Sequence, residues 1–317
     1  MIENHNVNEV IAVDSDEVEA IEPDWVEHKE CLVGIYQASV DTDGNLRSLS
    51  GKTVKRGTGT YTTWASWEYN NLGNPTNTPS VTLNFTMKDF QNVSRLRGLA
   101  GNMNGYQLID YEMSKFVAIL FYCLHGNLDA QAICGMGSAN ATTGYSNAIG
   151  NKNSYSGQYS GNKCLGLESF FGCWYEWVDN IGINVASYIT FYRDKMTGGT
   201  ANRRWFIYDP ETNTERSVLE RGGEGYIKRV RNGRFCDIVP TCTGGTSTTR
   251  YSDYTYYSSA IGLVLGRSSY SGYAGGGVAY AHASYASSHS GTYGGSRLAF
   301  RGKLEIQESQ NRQSDEA

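Results

Sequence analysis

From Trp25 onward, apolar and polar positions alternate in short runs. CLVGIYQASV (31–40) and LRSLSGKTV (46–54) flank DTDGN. Asp-Gly between two β-prone runs predicts a hairpin. VTLNF (81–85), INVASYITFY (183–192), RRWFIYDP (203–210), YIKRVRNGRFCDIVP (226–240) and SRLAFRGKLEI (296–306) read as further strands. Two stretches switch to helical spacing. Met87, Phe90, Val93 and Leu96 share one face of a helix over 87–97, with Thr86 and Asp89 as a capping-box start. A second helix runs from Asp110 to Leu124 and closes at Gly126. Its Met113, Phe116, Val117, Leu120, Phe121 and Leu124 predict one wide buried face. The polar 56–80 and 135–163 stretches and the Gly/Thr-rich 241–250 stretch read as loop or linker.

Residues 251–296 change character. Of these 46 residues, 11 are Ser, nine Gly, nine Tyr and six Ala, and only Asp253 and Arg267 are charged. Low complexity alone would suggest a flexible tract. The apolar spacing argues otherwise: Ile261, Leu263 and Leu265 alternate, and Ala279, Ala281 and Ala283 alternate with Tyr280, His282 and Ser284. That pattern predicts strands with one face packed and one face wet. Tyrosine supplies a large, stiff, amphipathic contact, while Ser and Gly adapt and admit close approach, which is the chemistry of antibody paratopes. A well-buried tyrosine anchor contributes on the order of 2 kcal/mol at an interface. The segment also contains no Asn, in a chain otherwise rich in it. Tyr, Ser, Gly, His, Asp and Ala codons all arise when adenines of an asparagine codon are replaced, so the composition fits adenine-directed diversification.

Charge and cysteines narrow the classes. The net charge is −5, but residues 1–30 carry −9 and residues 304–317 carry −3, leaving +7 for 31–303. The acidic ends, 1–24 and 304–317, read as flexible tails around a domain spanning 25–303. A mild basic excess without Lys/Arg clusters does not predict a nucleic-acid partner. The longest apolar run, Phe116 to Leu124, is too short to span a bilayer. Cys31, Cys123, Cys134, Cys164, Cys173, Cys236 and Cys242 show no CxxC spacing, so no zinc site is predicted. MIENHNVNEV lacks the pattern of a secretory signal, and the expectation is synthesis in a reducing cytoplasm with free thiols.

No catalytic motif stands out. His5, His28, His125, His282 and His289 stand in no ligand spacing, and no GxSxG elbow occurs. His125 ends the second helix and reads as a dipole-assisted cap. GTG (57–59) and GMG (135–137) lack the strand–loop–helix context of a phosphate cradle. Trp174 and Trp177 read as core, with Tyr175 between them on the ligand side.

Two stretches carry a resemblance. GLESFFGCWYEWVDN (166–180) resembles the GLxxxxGNxWEW signature of the formylglycine-generating-enzyme type of C-type lectin fold, and GSRLAFRG (295–302) resembles its closing GFRxxR strand. QLIDYEMSKFVAILF (107–121) sits where such proteins carry a helix. Taken together, the chain is similar to the variable proteins of diversity-generating retroelements over about residues 25–303. The resemblance implies an α+β C-type lectin-like fold, two helices on a small mixed sheet with long loops, and a variable ligand-binding region at 251–296. Some members bind calcium through this loop. Glu176 matches the ligand glutamate and Gly172 the glycine, but Cys173 replaces the asparagine and is a poor ligand for a hard cation. The redox cysteine pair of the family's enzymes has no counterpart that can be placed here.

The resulting expectation is a binding protein and not an enzyme. Its ligand-binding residues are Tyr254, Tyr256, Tyr257, Leu263, Ser269, Tyr270, Tyr273, Tyr280, His282, Ser284 and Tyr285. The expected partner is a host cell-surface protein or glycan, met by a virion-borne receptor-binding protein with homo-oligomeric or virion assembly. A virion structural or decoration protein and a formylglycine-generating-type enzyme are the alternatives.

Overall fold

Local signals fix the helices. The computed structural model describes residues 10–14, 31–40, 45–58, 60–61, 81–82, 84–96, 105–138, 140–149, 162–184, 188–192, 201–209, 214–217, 224–232, 238–248, 251–257, 263–267 and 275–301. Helix α1 spans Met87–Leu96 and opens with a reciprocal cap. Thr86 N–H donates to Asp89 Oδ2 at 2.8 Å, and Asp89 N–H donates to Thr86 Oγ1 at 3.2 Å. Helix α2 spans Tyr111–His125. Asp110 accepts from Met113 N–H at its start, and Gly126, left-handed at φ 57°, returns its N–H to Tyr122 O. A short helix α3, Ala130–Cys134, was not expected; Asp129 caps it through Gln131 and Ala132 N–H.

The wide buried face expected for α2 is half right. Met113, Val117 and Phe121 are buried, whereas Phe116, Leu120 and Leu124 are exposed. The residues FVAILFYCL are apolar on every side of the helix, so their pattern cannot say which arc meets the core. The inward arc packs with Ile109, Phe170, Phe171 and Ala299.

The molecule is mixed α/β, with few helices. Its largest sheet among the described residues has 11 strands and is wider than the small sheet expected. Across it lie Val10–Asp14, Ala201–Asp209, Tyr188–Tyr192, Tyr175–Asn184, Leu263–Arg267, Ala281–Ala286, Tyr254–Tyr257, Glu224–Asn232 and Ile238–Thr243, in that order. Thr214–Ser217 and Gly294–Gly295 pair off this path. The sheet is mixed, because Tyr254–Tyr257 runs parallel to Ala281–Ala286 and Tyr175–Glu176 parallel to Gly294–Gly295. Within the acidic N-terminal stretch, residues 10–14 form a strand. VIAVD is β-prone despite its acidic surroundings, and it pairs antiparallel with Ala201–Asp209. The 304–317 tail lies outside the described residues.

The expected hairpin forms as Ser39–Val40 against Leu46–Arg47. Leu298–Arg301 is the centre of a three-stranded sheet, between Cys31–Val33 and Tyr106–Leu108. Two clusters fill the space between these layers. One is built on α2, and the other gathers Met87, Phe90, Val93, Leu108, Trp177 and Leu298.

Candidate functional site

Three neighbouring strands of the large sheet divide their side chains cleanly between two faces. Ile227, Thr255, Ala281 and Ala283 are buried. Tyr226, Tyr254, Tyr256, His282 and Ser284 are half-buried, and Glu224 and Lys228 are exposed. Successive strand residues point to opposite faces and directly opposed residues share one. In register, Tyr226 opposes Tyr254, Glu224 opposes Tyr256, and Tyr256 opposes His282. Glu224, Tyr226, Tyr254, Tyr256 and His282 therefore stand on one face. The expected packed-and-wet alternation holds from Ala281 to Ser284.

The rings on this face stack in a row. Tyr256 lies on His282 with centroids 5.0 Å apart and planes at 17°. His282 lies on Tyr285 at 5.1 Å, and Tyr285 on His289 at 4.0 Å. Tyr226 and Tyr254 meet edge to face at 5.3 Å. Such contacts are each worth about 0.5–1.5 kcal/mol beyond area burial, so the row is stiff. Tyr254 OH donates to Glu224 Oε1 at 2.9 Å. Burial pushes His282 down to about 4, against the pull of the Glu224 charge, so its imidazole is neutral near pH 7. Burial lowers His289 as well.

The WYEWV strand supplies the floor. Tyr175 contacts His282 at 5.1 Å and stacks on Tyr280 at 6.2 Å. Trp177 is buried and meets Tyr285 and His289 edge to face. Gly266 is the register partner of both Trp177 and His282, so no side chain from the intervening strand separates them. Beneath the floor the strand is anchored by charge. Glu176 Oε1 accepts from Arg297 Nε at 3.0 Å and from Gln37 Nε2 at 3.2 Å. Asp179 is gripped by Gln91 and Arg95, and Asp110 by Gln107 and Arg301.

This arrangement does not suit calcium at Glu176. The carboxylate already faces the buried Arg297 guanidinium at 2.8 Å, whose charge would repel a divalent cation. Cys173 beside it is buried, and desolvation pushes its thiol up to about 11. Among the described residues, no group of three or more His, Cys, Asp or Glu side chains is placed to hold a metal. Gly172 keeps the loop tight: at φ 73°, an added Cβ would lie 1.8 Å from Met136 O.

Asp253 roots the Tyr/Ser segment. It is fully buried, accepts from Ala279 N–H through Oδ2 at 2.7 Å, and is pushed up to about 7 by desolvation.

The structure brings together Tyr254, Tyr256, His282, Ser284 and Tyr285 among the expected ligand residues. Ser284 Oγ lies 3.3 Å from His282 Nδ1. Tyr280 differs from these: it is only 5% exposed, stacks on Tyr175 and shares a hydroxyl contact with it at 3.4 Å. Tyr257 and Leu263 lie on the Tyr254–Tyr257 and Leu263–Arg267 strands. Ser269, Tyr270 and Tyr273 lie outside the described residues. Sequence reading missed Glu224 and Tyr226. Tyr226 did open a predicted strand, but only the pairing register delivers it and Glu224 to this face.

No helix among the described residues is long and apolar enough to cross a membrane. Compared with known proteins, the chain matches no family model, and no curated protein matches it.

Proposed function

We propose that the chain is a ligand-binding protein of C-type lectin-like fold, similar to the variable proteins of diversity-generating retroelements. Its Tyr/Ser/Gly-rich face recognises a host-surface protein or glycan, and in this reading the protein is carried on a virion. The observation that carries the reading is the half-buried aromatic row Tyr256–His282–Tyr285–His289, drawn wholly from the 251–296 segment. It rests on a floor, Tyr175 and Trp177, drawn from the motif that bears the resemblance. In this reading a rigid floor built from residues outside the 251–296 segment stays in place while side chains of the face are replaced, so the ligand can change while the platform stands. Copies of the chain assembled together would add avidity to weak single sites.

The reading needs no reaction step. The rings hold a preorganised surface, so little side-chain entropy is lost on binding. The neutral His282 imidazole keeps the inside of the row uncharged.

The test replaces Tyr254, Tyr256 and Tyr285 together with Ala. Lost binding to host cells with an unchanged fold supports the reading. Lost particle assembly with binding retained would favour a virion structural role instead. A gene whose flanks carry no near-copy of the 251–296 coding sequence differing at adenines would count against the diversification history.

A further inference from the structure

The aromatic row has a charged end. Across the sheet the order in register is His282, Tyr256, Glu224, so the carboxylate stands one strand beyond the last ring. Tyr256 gives one face to His282. Tyr226 and Tyr254, in register with each other one step along the same two strands, complete three aromatic side chains around Glu224. Tyr254 OH fixes the carboxylate through Oε1 at 2.9 Å. Among the described residues no basic side chain pairs with Glu224. The carboxylates beneath the floor differ in this respect: Glu176, Asp179 and Asp110 each face an arginine.

A carboxylate set among tyrosine rings is chemistry for a cation. The ring faces carry negative quadrupole potential, which attracts ammonium and guanidinium groups, and the carboxylate adds charge and geometry. Lys228 is the nearest described cation along the same strand face. It stands four residues along from Glu224, no ion pair joins the two, and at this exposed position its charge is screened by salt. A sugar that stacks flat on rings is less well served, because His282 and Tyr285 each lie between two rings of the row.

Resting on the binding-face reading above, we propose that Glu224, Tyr226, Tyr254 and Tyr256 form a subsite for a lysine or arginine side chain of a protein ligand. The ligand is thus a protein surface with an exposed basic anchor, and the rest of the row reads its neighbours.

The test pans a random-sequence peptide library displayed on yeast against the intact chain, against Glu224→Gln, and against a Tyr256→Ala/Tyr285→Ala double variant. Circular dichroism and melting curves confirm that each variant is folded. The wild type should enrich peptides sharing a Lys or Arg at one position. Glu224→Gln should bind those peptides roughly tenfold more weakly, about 1.4 kcal/mol, and lose the basic preference while still enriching other peptides. Enriched peptides that depend on Tyr256 and Tyr285 but show no basic preference would overturn the cation subsite and leave the binding face standing. Neutral glycans bound on an array with no dependence on Glu224 would do the same. Enrichment indifferent to all three substitutions would overturn both.

Discussion

Arg297 Nη2 lies 2.8 Å from Glu176 Oε1, and both side chains are wholly excluded from water. The pair joins the two sequence stretches that carry the family resemblance. Arg297 also donates from Nη1 to Gly34 O and Ile35 O and from Nη2 to Glu168 O, so its guanidinium ties residues 34–35 to two points of the 166–180 stretch. Removing one partner of such a pair strands a buried charge, which costs about 3–5 kcal/mol. Arg297→Met should lower stability by that amount in urea denaturation. Arg297→Met combined with Glu176→Gln should recover part of the loss, because no charge is then left unpaired.

The two arcs of α2 should respond differently to truncation. Phe121 is fully buried and Leu124 is 69% exposed. Phe121→Ala should cost about 3–5 kcal/mol, and Leu124→Ala should stay within about 0.5 kcal/mol. Equal losses in thermal unfolding would mean that Leu124 is covered in solution.

These residues also mark what was legible in the sequence. Features set by near neighbours could be read: the Thr86–Asp89 box, the start of α2 near Asp110 and its Gly126 cap, and the alternation through Ala281, His282, Ala283 and Ser284. Features set by distant pairing could not. Glu224 reaches the site only because its strand pairs with one 30 residues away. The Glu176–Arg297 bond spans 121 residues. Tyr280 shows the limit within a correct pattern: alternation put it on the face of His282, but a ring from another strand covers it.

Stability should pass through a shallow minimum near neutral pH on account of two buried groups. Asp253 is raised from 3.8 to about 7 by desolvation, so the folded state holds its proton more tightly than the unfolded chain. Its contribution is therefore full in acid and is lost as pH rises from about 4 to about 7. Lys55 lies over the Phe85 ring at 4.0 Å, and burial lowers it from 10.5 to about 7. The unfolded chain binds its proton more tightly, so stability rises again between about pH 7 and pH 10.5. His282, lowered from 6.5 to about 4, adds a rise between those values that opposes Asp253. Melting temperature against pH checks each limb. Asp253→Asn should flatten the fall, Lys55→Met the alkaline rise, and His282→Gln should steepen the fall.

The root of the variable segment offers a sharper test through Gly277. A Cβ built there would sit 2.0 Å from Asp253 Oδ1 and 2.4 Å from its Cγ. No real side chain tolerates such an approach, so Gly277→Ala must push the carboxylate off its bond to Ala279 N–H. The displaced group is buried and has nowhere wet to go, and losses of about 1–3 kcal/mol are usual for such overpacking. Asp253→Ala alone should also destabilise, by removing the acceptor from Ala279 N–H. Combining the two removes the clash, so the double variant should be more stable than the sum of the single losses predicts, by an interaction energy of about 0.5–3 kcal/mol. Strict additivity in denaturant titrations would show that the Asp253 carboxylate does not occupy the space beside Gly277, and would remove it as the root of the binding face.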